Sequence, residues 1–302
     1  MRLTKSAATP AAMEPGPRPQ DSELDMFGLT HPGRVRSENQ DHFLLCTIHP
    51  EVVVHGTSLP HVADLPLRGQ RLATMMLVAD GVGGAANGGK AARVAAETIA
   101  RYVSSTLRCY HTAGSSDERE FLDAMAAAAF EAHKAVRDDL TVHREGEIAA
   151  TTLTLCMVVW PWLYVLQVGD SRCYVHSRGV LRQVTRDQTV AQSLVDQGLM
   201  DAERLRASPF RNVLASAIGA EEARPEVTRH DLSERESVVL VCSDGLTKHV
   251  GDEEIAARIA SMTSTEQLCN DLLHLALERG GTDNITIVAG RAPRAKPAIE
   301  LR

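Results

Sequence analysis

The stretch Leu72-Ala73-Thr74-Met75-Met76-Leu77-Val78-Ala79-Asp80-Gly81-Val82-Gly83-Gly84 decides how this chain is read. Its first eight residues form an almost unbroken apolar run, which predicts a strand covered on both faces. The run stops on a carboxylate followed by a glycine-rich turn. A charge at the end of a buried strand is costly unless something positive meets it. Three more aspartates stand in the same kind of place: Asp170 in Val168-Gly169-Asp170-Ser171-Arg172, Asp244 in Leu240-Val241-Cys242-Ser243-Asp244-Gly245, and Asp283 in Gly280-Gly281-Thr282-Asp283-Asn284. One such residue is an ordinary turn former. Several of them, three touching glycine, point to a shared cation.

Outward from this stretch, the chain reads as strands in hairpin neighbours and helices in pairs. Short strands are expected at 26–30 and 41–46, around a polar loop. Helical spacing of Val94, Ile99 and Val103 predicts a helix from Lys90 to Leu107, and an apolar stripe through Leu122, Met125, Ala129, Val136 and Leu140 predicts a second from Glu118 to Leu140. Ser115-Ser116-Asp117 can cap the second. Strands follow near Thr152–Val158, Leu163–Val168 and Cys173–His176. Short helices are expected at Thr189–Gln197, ended by Gly198, and at Asp201–Ala207. Residues 208–229 read as irregular and polar. A strand at Ser237–Cys242, helices at Asp252–Ser261 and Thr265–Arg279, and a closing strand at Asn284–Ala289 complete the pattern. This is an α+β layout with antiparallel sheets, without strict βαβ alternation. The segment from Thr47 to Gln70 reads as a loop or an extra hairpin. Residues 1–20, with four prolines, read as a disordered tail, 21–291 as one domain and 292–302 as a short C-terminal tail.

Composition narrows the function classes. The chain has 302 residues, 44% hydrophobic but only 4% aromatic, so its core must be largely aliphatic. A net charge of -7 argues against a general nucleic-acid binder or a binder of anionic membranes. The six cysteines form no C-x-x-C pair and mostly lie in apolar runs, which suits reduced thiols in a cytoplasmic protein. Leu153 to Val168 is apolar, but it is shorter than the ~20 residues of a membrane span and is broken by Pro161. Two strands joined at Trp160-Pro161-Trp162 account for it better, and no signal peptide is evident.

Gly81-Val82-Gly83-Gly84-Ala85-Ala86 formally matches a dinucleotide-binding turn, but Asp80 would repel the pyrophosphate there. A metal site explains Asp80 instead. All the candidate ligands are oxygens, so Mg²⁺ or Mn²⁺ is favoured over zinc or copper. Two such ions can hold a phosphoryl group between them and supply a hydroxide nucleophile. A guanidinium suits the remaining phosphate charge, and Arg36, in the polar loop Gly33-Arg34-Val35-Arg36-Ser37-Glu38-Asn39-Gln40-Asp41, can provide it.

The order of these motifs resembles that of the metal-dependent protein phosphatases of type 2C in their bacterial form. The matching series is Arg36 with Asn39-Gln40-Asp41, Asp80-Gly81-Val82-Gly83-Gly84, Val168-Gly169-Asp170-Ser171-Arg172, Thr185-Arg186-Asp187, Ser243-Asp244-Gly245 and Gly281-Thr282-Asp283-Asn284. The likeness covers about residues 24–290. It implies an α-β-β-α sandwich, two face-packed antiparallel sheets flanked by helix pairs, with the ions at one end. It implies that Asp80 bridges two Mn²⁺ or Mg²⁺ ions, that the Gly81 carbonyl joins it on one, and that Asp244 and Asp283 complete the other. Asp41 would order water on the ions without touching them, and Arg36 would hold the substrate phosphate. The implied reaction is hydrolysis of phosphoserine or phosphothreonine on proteins through a hydroxide bridging the ions. The implied partners are phosphorylated proteins, including a Ser/Thr protein kinase or its targets. The alternatives are a non-catalytic phosphoprotein-binding domain of the same fold and a phosphohydrolase of small metabolites.

Three positions depart from the family. Val82 stands where some members carry a histidine that protonates the leaving group. Glu147 stands where an aspartate helps hold a third ion; it is one methylene longer, so that third site is expected to be weak or absent. Gln40 replaces an acidic residue. Asp170 is expected to be structural, paired with Arg172 in a hairpin, and Asp187 likewise structural. Near Asp41, His42 is expected to be packed rather than a proton donor.

Overall fold

The run after Leu72 is a strand whose side chains are buried on both faces, β3 (Ala73–Ala79). Ala73, Met75, Leu77 and Ala79 point toward one packed layer, while Met76 and Val78 point into another. That two-sided burial is why the sequence shows no alternation there. The computed structural model describes residues 16–51, 53–55, 57–58, 67–83, 87–106, 118–141, 149–201, 203–204 and 208–293. Around β3 the strands are β1 (Asp25–His31), β2 (His42–Ile48), β4 (Gly81–Val82), β5 (Ala150–Thr151), β6 (Leu153–Val159), β7 (Trp162–Val168), β8 (Arg172–Ser177), β9 (Val180–Gln183), β10 (Glu226–Asp231), β11 (Val238–Cys242) and β12 (Ile285–Arg291). The helices are α1 (Asn87–Ser105), α2 (Glu118–Thr141), α3 (Val190–Asp196), α4 (Asp244–Thr247), α5 (Asp252–Ser261) and α6 (Thr265–Glu278).

Two five-stranded antiparallel sheets result, in the orders β1-β12-β11-β8-β9 and β10-β7-β6-β3-β2. Val239, Val241 and Val288 of the first sheet meet Met76, Val78, Leu163 and Val165 of the second in a shared aliphatic layer. The outer face of the second sheet packs on α1 and α2 through Ala92, Ala95, Ile99, Phe121 and Met125. The outer face of the first packs on α5 and α6 through Ile255, Ile259, Leu268 and Leu272. This is the expected α-β-β-α sandwich. The layer facing α1 and α2 is rich in alanine, which lets these helices approach the sheet closely around one aromatic pair, Phe121 and Tyr164, with ring centroids 4.5 Å apart.

Several differences from the sequence reading have plain causes. β10 lies within and beyond a region read as irregular, because Glu226-Val227-Thr228-Arg229-His230-Asp231 is polar. It is an edge strand, held by pairing with β7 and by Arg229 lying 4.3 Å over the Trp162 ring. β9 is likewise a short edge strand that carries little apolar signal. Residues 16–20, expected as the end of the tail, lie against the body: the Arg71 guanidinium donates to the Pro19 carbonyl at 2.8 Å and Trp160 Nε1 donates to the Gly16 carbonyl at 3.0 Å. Much of the Thr47–Gln70 segment, most of Asp201–Ala207 and the Ser115-Ser116-Asp117 cap lie outside the described residues. The Trp160-Pro161 turn joins β6 to β7 as a hairpin, and among the described residues no helix is long and apolar enough to cross a membrane. Five described cysteines are free, four of them buried.

Candidate metal centre and phosphate site

Antiparallel register brings the strand-end aspartates together. His42 pairs with Ala79 across β2 and β3, so Asp41, just before β2, stands beside Asp80, just after β3. Leu153 pairs with Val168, Cys242 with Ile287, and Thr154 with Val78. The chain therefore delivers Asp170 after β7, Asp244 after β11 and Asp283 before β12 to the same end of the sandwich. Asp80, Asp170, Asp244 and Asp283 line one open cavity of about 660 Å³ with Arg36 and Lys248. A second cavity of about 670 Å³ continues from it under Arg211 and Asn212.

The backbone at Asp80 is fixed from below. Its N–H donates to Thr152 Oγ1 at 3.1 Å, and its carbonyl accepts from Thr152 N and Thr151 Oγ1, both at 2.9 Å. Thr152 in turn bonds Ser171 at 2.8 Å, and both are fully buried. Burial, then the charges of Asp41 and Asp244, raises the Asp80 carboxyl well above the usual range. Asp41 is 2% exposed. Its Oδ2 accepts from Ser243 Oγ at 2.8 Å and Thr286 Oγ1 at 2.7 Å, while its Oδ1 is buried with no hydrogen-bond partner. Burial, partly opposed by those two hydroxyls, pushes Asp41 up to about 6.

The other half of the site carries positive charge. Asp283 receives Arg36 Nε at 2.8 Å and a second Arg36 nitrogen at 3.0 Å, and Lys248 Nζ at 2.7 Å. Burial works against its ionisation, but these partners outweigh it and hold the Asp283 carboxyl below its ordinary value. Lys248 Nζ also lies 2.6 Å from Asp244 Oδ2. Burial still raises Asp244, although Lys248 opposes it. Burial would lower the ammonium's pKa; Asp244 and Asp283 more than offset this and raise it.

Asp170 needs a correction. It does not pair with Arg172. The Arg172 guanidinium instead spans Asp187, at 2.9 Å and 2.7 Å, and reaches the Tyr174 hydroxyl at 3.1 Å. Asp187, expected to be structural, anchors Arg172 and also stands on the wall of the second cavity. Asp170 is 8% exposed and faces the cavity, where burial, then Asp244 and Asp187, pushes its carboxyl up to about 8. Arg172 and Asp187 stand fifteen residues apart, so only the fold brings this pair together, and the carboxylate two residues before Arg172 is left to the cavity.

The loop carrying Arg36 is held by Asn284. Its Nδ2 donates to the carbonyls of Pro32 and Glu38, both at 2.9 Å, and its Oδ1 accepts from Gln40 N at 2.9 Å. Sequence reasoning missed this role, as it missed Lys248, whose only signal was its place four residues after Asp244. The Asp-Gly pairs have a packing reason as well. A Cβ on Gly81 would lie 2.4 Å from the Gly88 carbonyl carbon, and one on Gly245 would lie 1.8 Å from the Asn284 carbonyl oxygen. Val82 sits at the rim, 36% exposed, and His42 is half-buried, its pKa lowered by burial and then by Arg93. Glu147 lies outside the described residues.

The donor chemistry fits a hard divalent cation. Among the described residues no three carboxylates, imidazoles or thiols are drawn into a finished chelate. Asp244 and Asp283 are turned onto Lys248 and Arg36 instead. Yet the aspartates press one another's pKa values upward, and Asp41 keeps a buried oxygen with nothing to bond. Both features are what a cation and its ordered water would relieve.

Residues 67–278 match the family model for protein phosphatase 2C. The chain belongs to that family. The match takes in Asp80, Asp170 and Asp244; Arg36, Asp41 and Asp283 lie beyond its limits. The serine/threonine protein phosphatase PstP of Mycobacterium tuberculosis is 30% identical over 216 residues, covering 72% of this chain and 40% of the relative. The match thus spans less than half of that relative's length. The serine/threonine phosphatase stp of Listeria monocytogenes is 28% identical over 71% of this chain and 82% of the relative. Among solved structures, M. tuberculosis PstP superposes with a TM-score of 0.72 at 26% identity, covering 90% of this chain and 99% of that one. The PstP catalytic domain in complex with two manganese ions gives a TM-score of 0.68 at 26% identity, covering 89% and 98%.

Proposed function

We propose that this chain is a cytosolic, Mn²⁺- or Mg²⁺-dependent phosphatase acting on phosphoserine and phosphothreonine in proteins, with residues 21–291 as its catalytic unit. The observation that carries this is the delivery of Asp80, Asp170, Asp244, Asp283 and Arg36 to one open cleft. Asp80, the Gly81 carbonyl, Asp244 and Asp283 would hold two ions, and Asp41 would orient water through its unpaired Oδ1. When bound, such ions lower the pKa of water to give a nucleophile near neutral pH and neutralise charge on the phosphoryl oxygens. Arg36 would bind the phosphate bidentately, as its fork now binds Asp283. Val82 brings no proton donor, so an ordered water would protonate the departing alkoxide. The cleft is open and polar, which suits a phosphorylated segment of a protein better than a small enclosed metabolite. A Ser/Thr protein kinase or its targets are the natural substrates.

The test compares phosphate release from a phosphothreonine peptide and from sugar phosphates, with Mn²⁺ and with excess chelator. Metal-dependent turnover of the peptide alone supports the proposal. Preference for the sugar phosphates, or turnover that survives the chelator, contradicts it.

A further inference from the structure

The acidic cleft is electrically divided. Among the ion pairs of the described residues, cations reach Asp244 and Asp283, and none reaches Asp41, Asp80 or Asp170. Lys248 is the centre of the neutralised half, with Nζ at 2.6 Å from Asp244 Oδ2 and 2.7 Å from Asp283 Oδ2. Its position is not accidental to a long, wandering side chain. Lys248 N donates to the Asp244 carbonyl at 2.8 Å, continuing α4, so the backbone aims the ammonium at the carboxylate one helical turn earlier. An ammonium offers three donors and no lone pair, so it cannot ligate a metal; it can only exclude one from the oxygens it holds.

We propose that Lys248 is a resident counter-ion of this site, holding Asp244 and Asp283 together until a divalent ion displaces it, and so sets the metal affinity of that half of the cleft. This rests on the reading of the cleft as a metal centre. In the metal-free protein the ammonium offsets the repulsion between two neighbouring carboxylates and keeps the start of α4 against the turn before β12. A metal ion entering between Asp244 and Asp283 must first break both ammonium contacts. Among the described residues no cation is ion-paired to Asp80, so an ion held there with the Gly81 carbonyl has no such contact to break. The two ions therefore bind with unequal affinity, the weaker on the Lys248 side. The same exchange frees Arg36 from Asp283, which makes the guanidinium available to phosphate only after the metal is in place.

The experiment is calorimetric titration of the full chain with Mn²⁺ alone, for wild type, Lys248→Met and Lys248→Arg, with thermal melts of each in chelator and in Mn²⁺. Loss of the ammonium is expected to tighten the weaker ion by about tenfold, a change of about 1.4 kcal/mol, while leaving the tighter ion nearly unchanged. Lys248→Met should melt lower than wild type in chelator and recover in Mn²⁺. Lys248→Arg, which keeps a cation, should return both readings toward wild type. Equal or weaker Mn²⁺ binding by Lys248→Met, with wild type binding normally, overturns the inference and leaves the metal reading standing. Absence of Mn²⁺ binding by folded wild type overturns both. Should Lys248→Met not fold, Lys248→Gln keeps a polar chain without the charge and carries the same expectation.

Discussion

At the scale of single residues, the site is a set of carboxylates arranged at some cost to themselves. Asp170 and Asp41 are pushed up to about 8 and about 6, first by burial. For both, the folded value lies above the unfolded one near 3.9. Between pH 4 and 8 these two carboxyls thus bind more protons in the native state than in the unfolded chain, and the stability they contribute falls as pH rises, against the opposite and smaller pull of His42, His133, His176 and His230, whose values burial lowers. The metal-free protein should accordingly melt lower at pH 8 than at pH 5.5, and Asp170→Asn should flatten that slope. A melting temperature independent of pH in chelator, or a slope unchanged in Asp170→Asn, would contradict the assigned environments. Arg36→Ala should reduce kcat/KM by about 10²-fold or more, the scale of removing one donor to a charged transition state. Steady-state kinetics with a phosphothreonine peptide measure it, and near-normal values would remove Arg36 from phosphate binding.

At the scale of elements, the strands that make the site were the most legible part of the chain. β3, β7, β11 and β12 are largely buried on both faces, so their apolar runs announce them and the aspartates at their ends stand out; β6 shows the same kind of run without an aspartate. β9 and β10 were not legible, because an edge strand with polar side chains looks like a loop until its partner is known. Lys248 and Asn284 were hidden for a related reason. Their roles depend on residues distant in sequence, Asp283 for one and the 32–40 loop for the other, and no local pattern records such contacts. Asp170 was visible, but its partner was assigned by proximity along the chain, whereas Arg172 turns to Asp187. Asp-Gly at 244–245 was read through its charge, and the fold adds a steric reason. Gly245→Ala would drive a methyl into the Asn284 carbonyl. That clash should cost about 2 kcal/mol or more of stability, within the range for overpacking, and chemical denaturation should show it. A variant as stable as wild type would mean that the α4–β12 junction yields easily.

At the scale of the whole molecule, the sandwich is a device for bringing distant strand ends to one place. Antiparallel pairing sets the start of β2 beside the end of β3, and the start of β12 beside the end of β11. The two sheets, packed through an aliphatic layer, then hold these ends across a single cleft. The long helices α1, α2, α5 and α6 cover the outer faces of the sheets, whereas the short α4 begins at the cleft itself with Asp244. The cleft's floor is rigid through Thr152, Ser171 and Ser243, all fully buried. The central claim is that this arrangement performs metal-dependent phosphate hydrolysis. The measurement that tests it most directly is phosphate release from a phosphothreonine peptide in saturating Mn²⁺ by wild type and by Asp244→Asn, with circular dichroism of both. The account predicts turnover by wild type and a loss of at least ~100-fold in the variant with its fold intact, as expected for removal of a metal ligand. A folded wild type that binds Mn²⁺ yet releases no phosphate, or an Asp244→Asn variant with near-normal turnover, would contradict it.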